Sequence, residues 1–339
     1  MAVNFYNFFQ TTSSIPNTTA AADFTDGFYV QQGTLQYLIV KLEVDITGTE
    51  ARSTDLSALI SKCRVVIDGQ TWFDYVSAAA PASGSTLQGR FGHFLNSIGG
   101  KCFTAPTGVP AADEASVLAF MGIPLGCNLT SNTPRFEVSI GYHDANLVLG
   151  SSATIGSSTL TYIGQYNSAS EQSVMVINPT SHTYAGSDLA EQTVVRVPQM
   201  MDAGWKVLGC YIQNDTEADE YSTGGAIRQL DLSQFGLSLE FQQWASGEMA
   251  NGSAYNAPAS DTTAQIYASS RAGCLFVPLY NLKAEDITFI ISSSAATTRL
   301  LSPVLVRSTS GIQKPQNMQT AASPANPSRQ VIARTEADA

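Results

Sequence analysis

Residues 35–46 read LQYLIVKLEVDI, with an apolar side chain at every second position from 38 to 46. The positions between them include Lys41, Glu43 and Asp45. Successive side chains of a β-strand point to opposite faces. The alternation therefore predicts a strand with one face in a hydrophobic core and the other in polar surroundings.

The second half of the chain repeats features of the first half in the same order. Four pairs of segments match: 35–46 with 205–213, 55–59 with 231–235, 123–129 with 277–282, and 136–140 with 287–291. A repeat about half a chain long predicts two similar domains rather than a solenoid of short units. The length of 339 residues also fits two domains.

Short strand-like runs separated by turn signals predict an all-β fold in both halves. Asp68-Gly69 predicts a two-residue hairpin, 90–98 favours a short helix, and 111–120 is compatible with either helix or strand. Long connections within each half favour jelly-roll topology over an up-and-down barrel, so we expect two tandem jelly-roll β-sandwiches of about eight strands each. The expected parts are an N-terminal arm (1–22), a first jelly roll (23–168), a connector (169–190), a second jelly roll (191–308) and a flexible C-terminal tail (309–339).

Charged side chains are scarce. Asp, Glu, Lys and Arg make up 13% of the chain, about half the usual share. Neutral polar faces pack against copies of themselves without desolvating charges, which favours a shell subunit. The net charge of −11 opposes contact with phosphate backbones, so no direct nucleic-acid binding is expected. No membrane-spanning apolar run or signal-peptide pattern is present, which favours synthesis in the cytoplasm.

Histidine and cysteine do not form a recognisable catalytic or zinc motif. His93, His143 and His182 are expected as isolated surface or loop residues, because no nucleophile motif accompanies them. The five cysteines have no CxxC spacing and are expected as buried free thiols. The sequence thus predicts neither catalytic residues nor a cofactor.

One acidic cluster has the composition of a cation site. Asp215, Glu217 and Asp219 place carboxylates at alternate positions, which makes them a weak calcium candidate. The glycine and the terminal glutamate of an EF-hand loop are missing, so a solvated turn is the expected structure.

The first 22 residues contain no charged side chain but carry four clustered aromatic ones, Phe5, Tyr6, Phe8 and Phe9. One interpretation is a segment that covers the base of its own domain. The other is a contact segment, because uncharged aromatic rings suit a lipid headgroup boundary or a neighbouring subunit.

The stretch 277–290, VPLYNLKAEDITFI, resembles double jelly-roll major capsid proteins in its order of apolar-Pro-Leu, acidic residue and alternating strand. Residues 123–140 look like a weaker copy, and the Asp68-Gly69 hairpin with Trp72 is similar to the early strands of such a barrel. The resemblance covers 23–308 as architecture. The short chain looks like the compact capsid proteins of tailless bacteriophages that contain an internal membrane.

The resemblance implies a virion protein that forms pseudo-hexameric homotrimers in an icosahedral shell over an internal membrane. It implies contacts with neighbouring trimers and with penton and minor capsid proteins. The uncharged aromatic terminus beside an acidic body leads to the further hypothesis that residues 1–22 lie on the inner side of such a shell, against the membrane or under a neighbour.

Two other functions remain compatible with the sequence. A carbohydrate-binding or hydrolytic β-sandwich protein would show an exposed aromatic platform or a carboxylate pair in a cleft. A fibre or pilus subunit would assemble head to tail through donated strands.

Overall fold

The computed structural model describes residues 3–13, 15, 22–47, 56–77, 90–104, 115–145, 154–167, 172–177, 179–184, 189–195, 204–214, 227–232, 237–240, 274–283, 287–293 and 297–308. These residues contain a 3₁₀ turn (Leu56–Leu59) and the helix α1 (Arg90–Ser97). The strands of the first half are β1 Val3–Ser13, β2 Ala22–Tyr29, β3 Gly33–Thr47, β4 Ile60–Ile67, β5 Gln70–Val76, β6 Lys101–Thr104, β7 Ala115–Leu129, β8 Arg135–Tyr142 and β9 Thr154–Asn167. Those of the second half are β10 Gln172–Val176, β11 Thr180–Tyr184, β12 Leu189–Val195, β13 Trp205–Asn214, β14 Ile227–Leu232, β15 Leu237–Glu240, β16 Cys274–Lys283, β17 Ile287–Ser293 and β18 Thr297–Ser308.

The first half forms two antiparallel sheets between which the chain crosses repeatedly. One sheet has the order β1-β9-β3-β7-β6 and the other β2-β8-β4-β5. Successive strands along the chain therefore switch between the two sheets: β1, β3, β7 and β9 lie in one, and β2, β4–β5 and β8 lie in the other. This is the double Greek-key order of a jelly roll. Strand β6 is a short addition at the outer edge of β7.

The second half has the same strand order. Its sheets run β10-β18-β13-β16, with β11 also paired to β18, and β12-β17-β14-β15. Each sheet matches one of the first half when β10 and β11 together take the place of β1. The expectation of an all-β fold with two tandem jelly rolls is confirmed.

Strand β3 has the predicted two faces. Leu38, Val40 and Leu42 are fully buried, whereas Lys41 and Glu43 are partly exposed. Both edges of β3 are paired, one with β7 and the other with β9. The strand therefore lies at the centre of its sheet, as its apolar alternation predicts.

The Pro-Leu strings occupy equivalent positions in the two halves. Tyr37 of β3 lies opposite Pro124 of β7, and the regular pairing is interrupted immediately beyond that pair. Gly209 of β13 lies opposite Pro278 of β16, and the pairing is interrupted at the same point. Proline has no N–H to donate to a ladder, so its presence favours a bulge there. The match between 123–129 and 277–282 is thus structural.

The other matched segments differ in outcome. Residues 136–140 and 287–291 lie in the equivalent strands β8 and β17, as predicted. The match of 55–59 with 231–235 is wrong, because residues 56–59 form the buried 3₁₀ turn before β4, whereas Asp231 lies within β14. A short Asp-Leu-Ser string suits a turn as well as a strand, so it does not fix a register.

The jelly rolls begin earlier than the sequence limits indicate. Strand β1, within the expected arm, pairs with β9 from Val3 opposite Asn167 to Ser13 opposite Ser158. Strands β10 and β11, within the expected connector, pair with β18. Strands β1, β10 and β11 lack clear apolar alternation, so the sequence does not indicate them. Each nevertheless pairs at an edge of a sheet. The residues of the expected tail beyond Ser308 lie outside the described part.

The Asp68-Gly69 hairpin is present as predicted, and both residues have a positive φ, 48° and 83°. The Asp68 carboxylate also accepts a hydrogen bond from the Arg135 backbone N–H at 2.9 Å. Glycine adopts the required left-handed conformation without the steric cost that other residues meet.

We expect Gly69→Ala to lower the free energy of unfolding by about 1 kcal/mol, because alanine is strained at this φ. No atom lies near the position that the new Cβ would take, so the loss reports backbone strain alone. Urea unfolding followed by circular dichroism measures it. The control is Gly156→Ala, whose Cβ would make only ordinary contacts at 3.6 Å. An equal loss in both variants would contradict the strain argument.

Candidate assembly surface and inter-barrel junction

Helix α1 lies between the two jelly rolls. We call the surface on which they meet, centred on this helix, the junction. The rings of Phe91 and Phe94 pack on Tyr75 of β5 at centroid distances of 4.9 and 5.1 Å. Phe73 adds edge contacts to both rings. This aromatic packing fixes the helix to the first jelly roll. Aromatic pairs contribute more stabilising free energy than the burial of their surface area alone.

Tyr211 of β13 reaches α1 from the second jelly roll. Its ring lies 4.7 Å from that of Phe94, edge to face. Its hydroxyl lies 3.3 Å from the Arg90 carbonyl oxygen and 2.8 Å from His93 Nδ1. A carbonyl only accepts, so the hydroxyl donates to Arg90 and accepts from His93 Nδ1–H. Burial lowers the pKa of His93 to about 4, so the ring is neutral at neutral pH.

Further contacts cross the junction to either side of Tyr211. Gln213 donates to the Val76 carbonyl at 2.9 Å, and Ser173 donates to the Gly126 carbonyl at 2.7 Å. Gly126 belongs to the bulge that follows Pro124. Directional hydrogen bonds to backbone atoms fix how the two jelly rolls sit against each other.

A tryptophan pair marks one flank of the junction. Trp72 of β5 and Trp205 of β13 meet edge to face, with their ring centroids 6.1 Å apart. The Arg307 guanidinium lies 5.1 Å from the Trp205 ring centroid, a cation–π distance. On this flank the two aromatic side chains join a strand of each jelly roll.

The first and last strands of the double jelly roll leave from the same end of the molecule. Val3 lies opposite Asn167, and Ser308 lies opposite Gln172. Asn167 and Gln172 are five residues apart in the chain, a span of at most about 18 Å. We call this end the terminal end. The exposed rings of Phe5 and Tyr29 lie there, 60% and 67% exposed.

The structure divides the four predicted contact residues. Phe8 is partly buried, and its ring fills the space that a Cβ at Gly164 would occupy. Phe9 stacks on Phe28 at 5.7 Å, and Tyr6 meets Tyr166 edge to face at 5.6 Å. A bulge between Asn7 and Phe9 places the consecutive rings of Phe8 and Phe9 both within 6.0 Å of Phe28. Phe5 remains the most exposed of the four.

Of the three histidines expected on the surface or in loops, His143 lies in a loop, whereas His93 lies in α1 and His182 in β11. His93 is buried in the junction, and His182 is partly buried in β11 opposite Arg299. His143 is partly buried after β8, and burial together with the charge of Arg90 lowers its pKa to about 4. Packing between sheets and between the two jelly rolls covers these rings, which a local sequence pattern does not reveal.

No group of three or more His, Cys, Asp and Glu that would hold a metal is found in the described part of the chain. The calcium candidates Asp215, Glu217 and Asp219 lie outside that part. Cys63, Cys127 and Cys210 are buried free thiols, as predicted, and Cys102 is partly buried. Burial raises the pKa of Cys127 to about 12, which keeps it protonated and unreactive. No helix within the described residues has the length and hydrophobicity to span a membrane.

No protein-family model matches the sequence, and no curated protein matches it. Among solved structures it is similar to the crystal structure of the major capsid protein of STIV, with a TM-score of 0.55, 11% identity and coverage of 91% of this chain and 98% of that one. It is also similar to the atomic structure of Sulfolobus Turreted Icosahedral Virus, with a TM-score of 0.53, 12% identity and coverage of 98% and 97%. The major capsid protein P2 of bacteriophage PM2 follows with a TM-score of 0.44, 10% identity and coverage of 92% and 100%.

At these identities the likeness establishes the fold. The chain therefore has the double jelly-roll fold of viral major capsid proteins.

We expect Phe8→Ala to lower the free energy of unfolding by about 2 kcal/mol, because it empties the socket above Gly164. Phe5→Ala is the matched control on the same strand and should change it by less than about 0.5 kcal/mol, since that ring is exposed. Urea unfolding at equal protein concentration measures both. Equal effects would contradict the division of roles along β1.

Proposed function

We propose that this chain is the major capsid protein of an icosahedral virus and builds its shell as pseudo-hexameric homotrimers over an internal membrane. One observation carries the proposal. Two jelly rolls of equivalent strand order are joined in one unit, and the likeness to the STIV major capsid protein extends over 91% of this chain and 98% of that one.

A closed trimer suits this architecture. Two similar jelly rolls in each subunit give six in a trimer, and six similar units around one axis produce a six-sided outline that tiles a surface. A three-fold ring requires each subunit to present two different, complementary faces. Few charges have to be desolvated in such contacts, because charged residues make up only 13% of the chain. The proposed partners are neighbouring trimers and penton and minor capsid proteins.

The terminal end is the proposed inner side of the shell. Phe5, Tyr6 and Phe9 on β1 are exposed there, and residues 1–22 carry no charge. Apolar surface removed from water contributes roughly 25 cal/mol per Å², so a few rings provide reversible attachment to a lipid headgroup region or a neighbouring subunit. Phe8 has the separate role of holding β1 to its own jelly roll.

Assembly is tested by expressing the full chain and analysing it by sedimentation and electron microscopy. We expect trimers that bury more than about 2,000 Å² in total, the range of obligate interfaces. Six-sided particles or closed shells should appear in the images. A stable monomer at micromolar concentration, or open fibres built head to tail, would overturn the proposal.

Membrane attachment is tested by a Phe5→Ser/Tyr6→Ser double variant. We expect intact trimers that bind phosphatidylcholine vesicles less tightly in flotation assays, because exposed rings are removed from the terminal end. Zwitterionic lipid is chosen because the net charge of −11 opposes binding to anionic lipid. Phe103→Ser is the matched control, since that ring is 58% exposed but lies on the edge strand β6.

The outcome assigns the contact. Reduced flotation with the double variant but not with Phe103→Ser supports a lipid contact. Normal flotation with impaired particle formation assigns the rings to a neighbouring subunit. Unchanged flotation and normal particles would show that the exposed rings of β1 have no attachment role.

A further inference from the structure

His93 is a buried titratable group at the contact between the two jelly rolls. It is 2% exposed, and Nδ1 lies 2.8 Å from the Tyr211 hydroxyl. Its second ring nitrogen, Nε2, has no hydrogen-bond partner among the described residues. A proton added at Nε2 would therefore be enclosed in the junction without an acceptor from that part of the chain.

Charged residues of both signs lie around α1. Arg90 lies one turn before His93 on the same helix and is 6% exposed. His143 is near enough to Arg90 for that charge to lower its pKa. The acidic residues nearby are Asp144, which follows His143 and is buried, and Asp74, which lies 3.6 Å from Arg64. The other titratable or charged residues on elements packed against α1 are Tyr75 on β5, Lys101 and Cys102 on β6, Cys127 on β7, Lys206, Cys210 and Tyr211 on β13, and Cys274, Tyr280 and Lys283 on β16.

We propose that the junction is an acid-sensitive latch, in which uptake of a proton by His93 drives helix α1 and the second jelly roll apart. An imidazolium buried in the junction costs free energy because it loses hydration without gaining an acceptor for Nε2–H among the described residues. Separation of α1 from β13 returns the ring to water and removes that cost. This latch does not depend on the proposed capsid function, because every group in it belongs to one chain.

The lowered pKa of His93 determines how the opening of the junction depends on pH. Burial lowers the pKa of His93 to about 4, against about 6.5 for an exposed ring. The open junction therefore binds the proton more tightly than the closed one. The closed form is favoured in full above about pH 6.5 and loses that advantage as the pH falls towards about 4. Between about pH 7 and about pH 5 the opening constant should rise roughly 20-fold.

The chain carries its own reporter of the junction. Trp72 and Trp205 belong to different jelly rolls and are in contact across it. The chain has three tryptophans, and a Trp244→Phe background leaves these two. Tryptophan fluorescence of the full chain, recorded from about pH 7 to about pH 5, then follows the contact. Hydrogen exchange of residues 90–97, corrected for the intrinsic effect of pH, shows whether α1 opens while β3 stays protected.

The test variant is His93→Gln, which keeps a side-chain amide donor but does not titrate, and His143→Gln is the matched control. We expect acid to expose α1 and change the fluorescence in the parent and in His143→Gln, but not in His93→Gln. Opening in His93→Gln at the same pH as in the parent would overturn the proposal. So would an opening constant, measured by hydrogen exchange, that does not rise in the parent between about pH 7 and about pH 5, or sensitivity that is lost only in His143→Gln.

A second measurement decides the question if His93→Gln fails to fold. The ring resonances of the three histidines can be titrated by NMR in the parent chain. We expect the His93 resonance to shift only over the pH range in which residues 90–97 lose protection. A His93 resonance that titrates near pH 6.5, its ordinary value, while α1 remains protected would overturn the latch.

Discussion

The pairing of β3 on both of its edges is the constraint on which the first jelly roll depends. A strand paired with β7 on one side and β9 on the other satisfies its backbone within the sheet. Its apolar face then has to be covered, and the second sheet covers it. Strand β13 has the same position between β16 and β18. Once a central strand is fixed in each half, a jelly roll follows from pairing the remaining strands outwards.

Features dictated by local chemistry could be predicted from the sequence. The alternation in 35–46, the positive φ demanded at Gly69 and the missing N–H of Pro124 and Pro278 each act within a few residues. Strand β1 was missed because the bulge near Phe8 and Phe9 turns consecutive rings to the same side, which removes the two-residue period. Edge strands also carry weaker patterns, since one of their sides lacks a partner.

The junction could not be predicted because its contacts are long-range. His93 and Tyr211 are 118 residues apart, and Tyr211 has the sequence context of any buried strand residue. Helix α1 contains Arg90, His93, Asn96 and Ser97, which by composition predicts a half-exposed helix. The structure buries nearly all of it, because jelly rolls contact it from both sides. The hydrogen bonds that cross the junction favour one arrangement over others, so the junction defines orientation as well as stability.

The location of the first and last strands at one end of the molecule also bears on sequence divergence. At the opposite end the chain passes from β1 to β2 and from β3 to β4. Lengthening a surface connection costs little loop entropy, so insertions there leave the sheets intact. Substitutions at the terminal end would affect both the edge pairing of β1 and the start of the second jelly roll. A longer connection at the opposite end would therefore leave the pairing of β1 with β9 and of β10 with β18 unchanged.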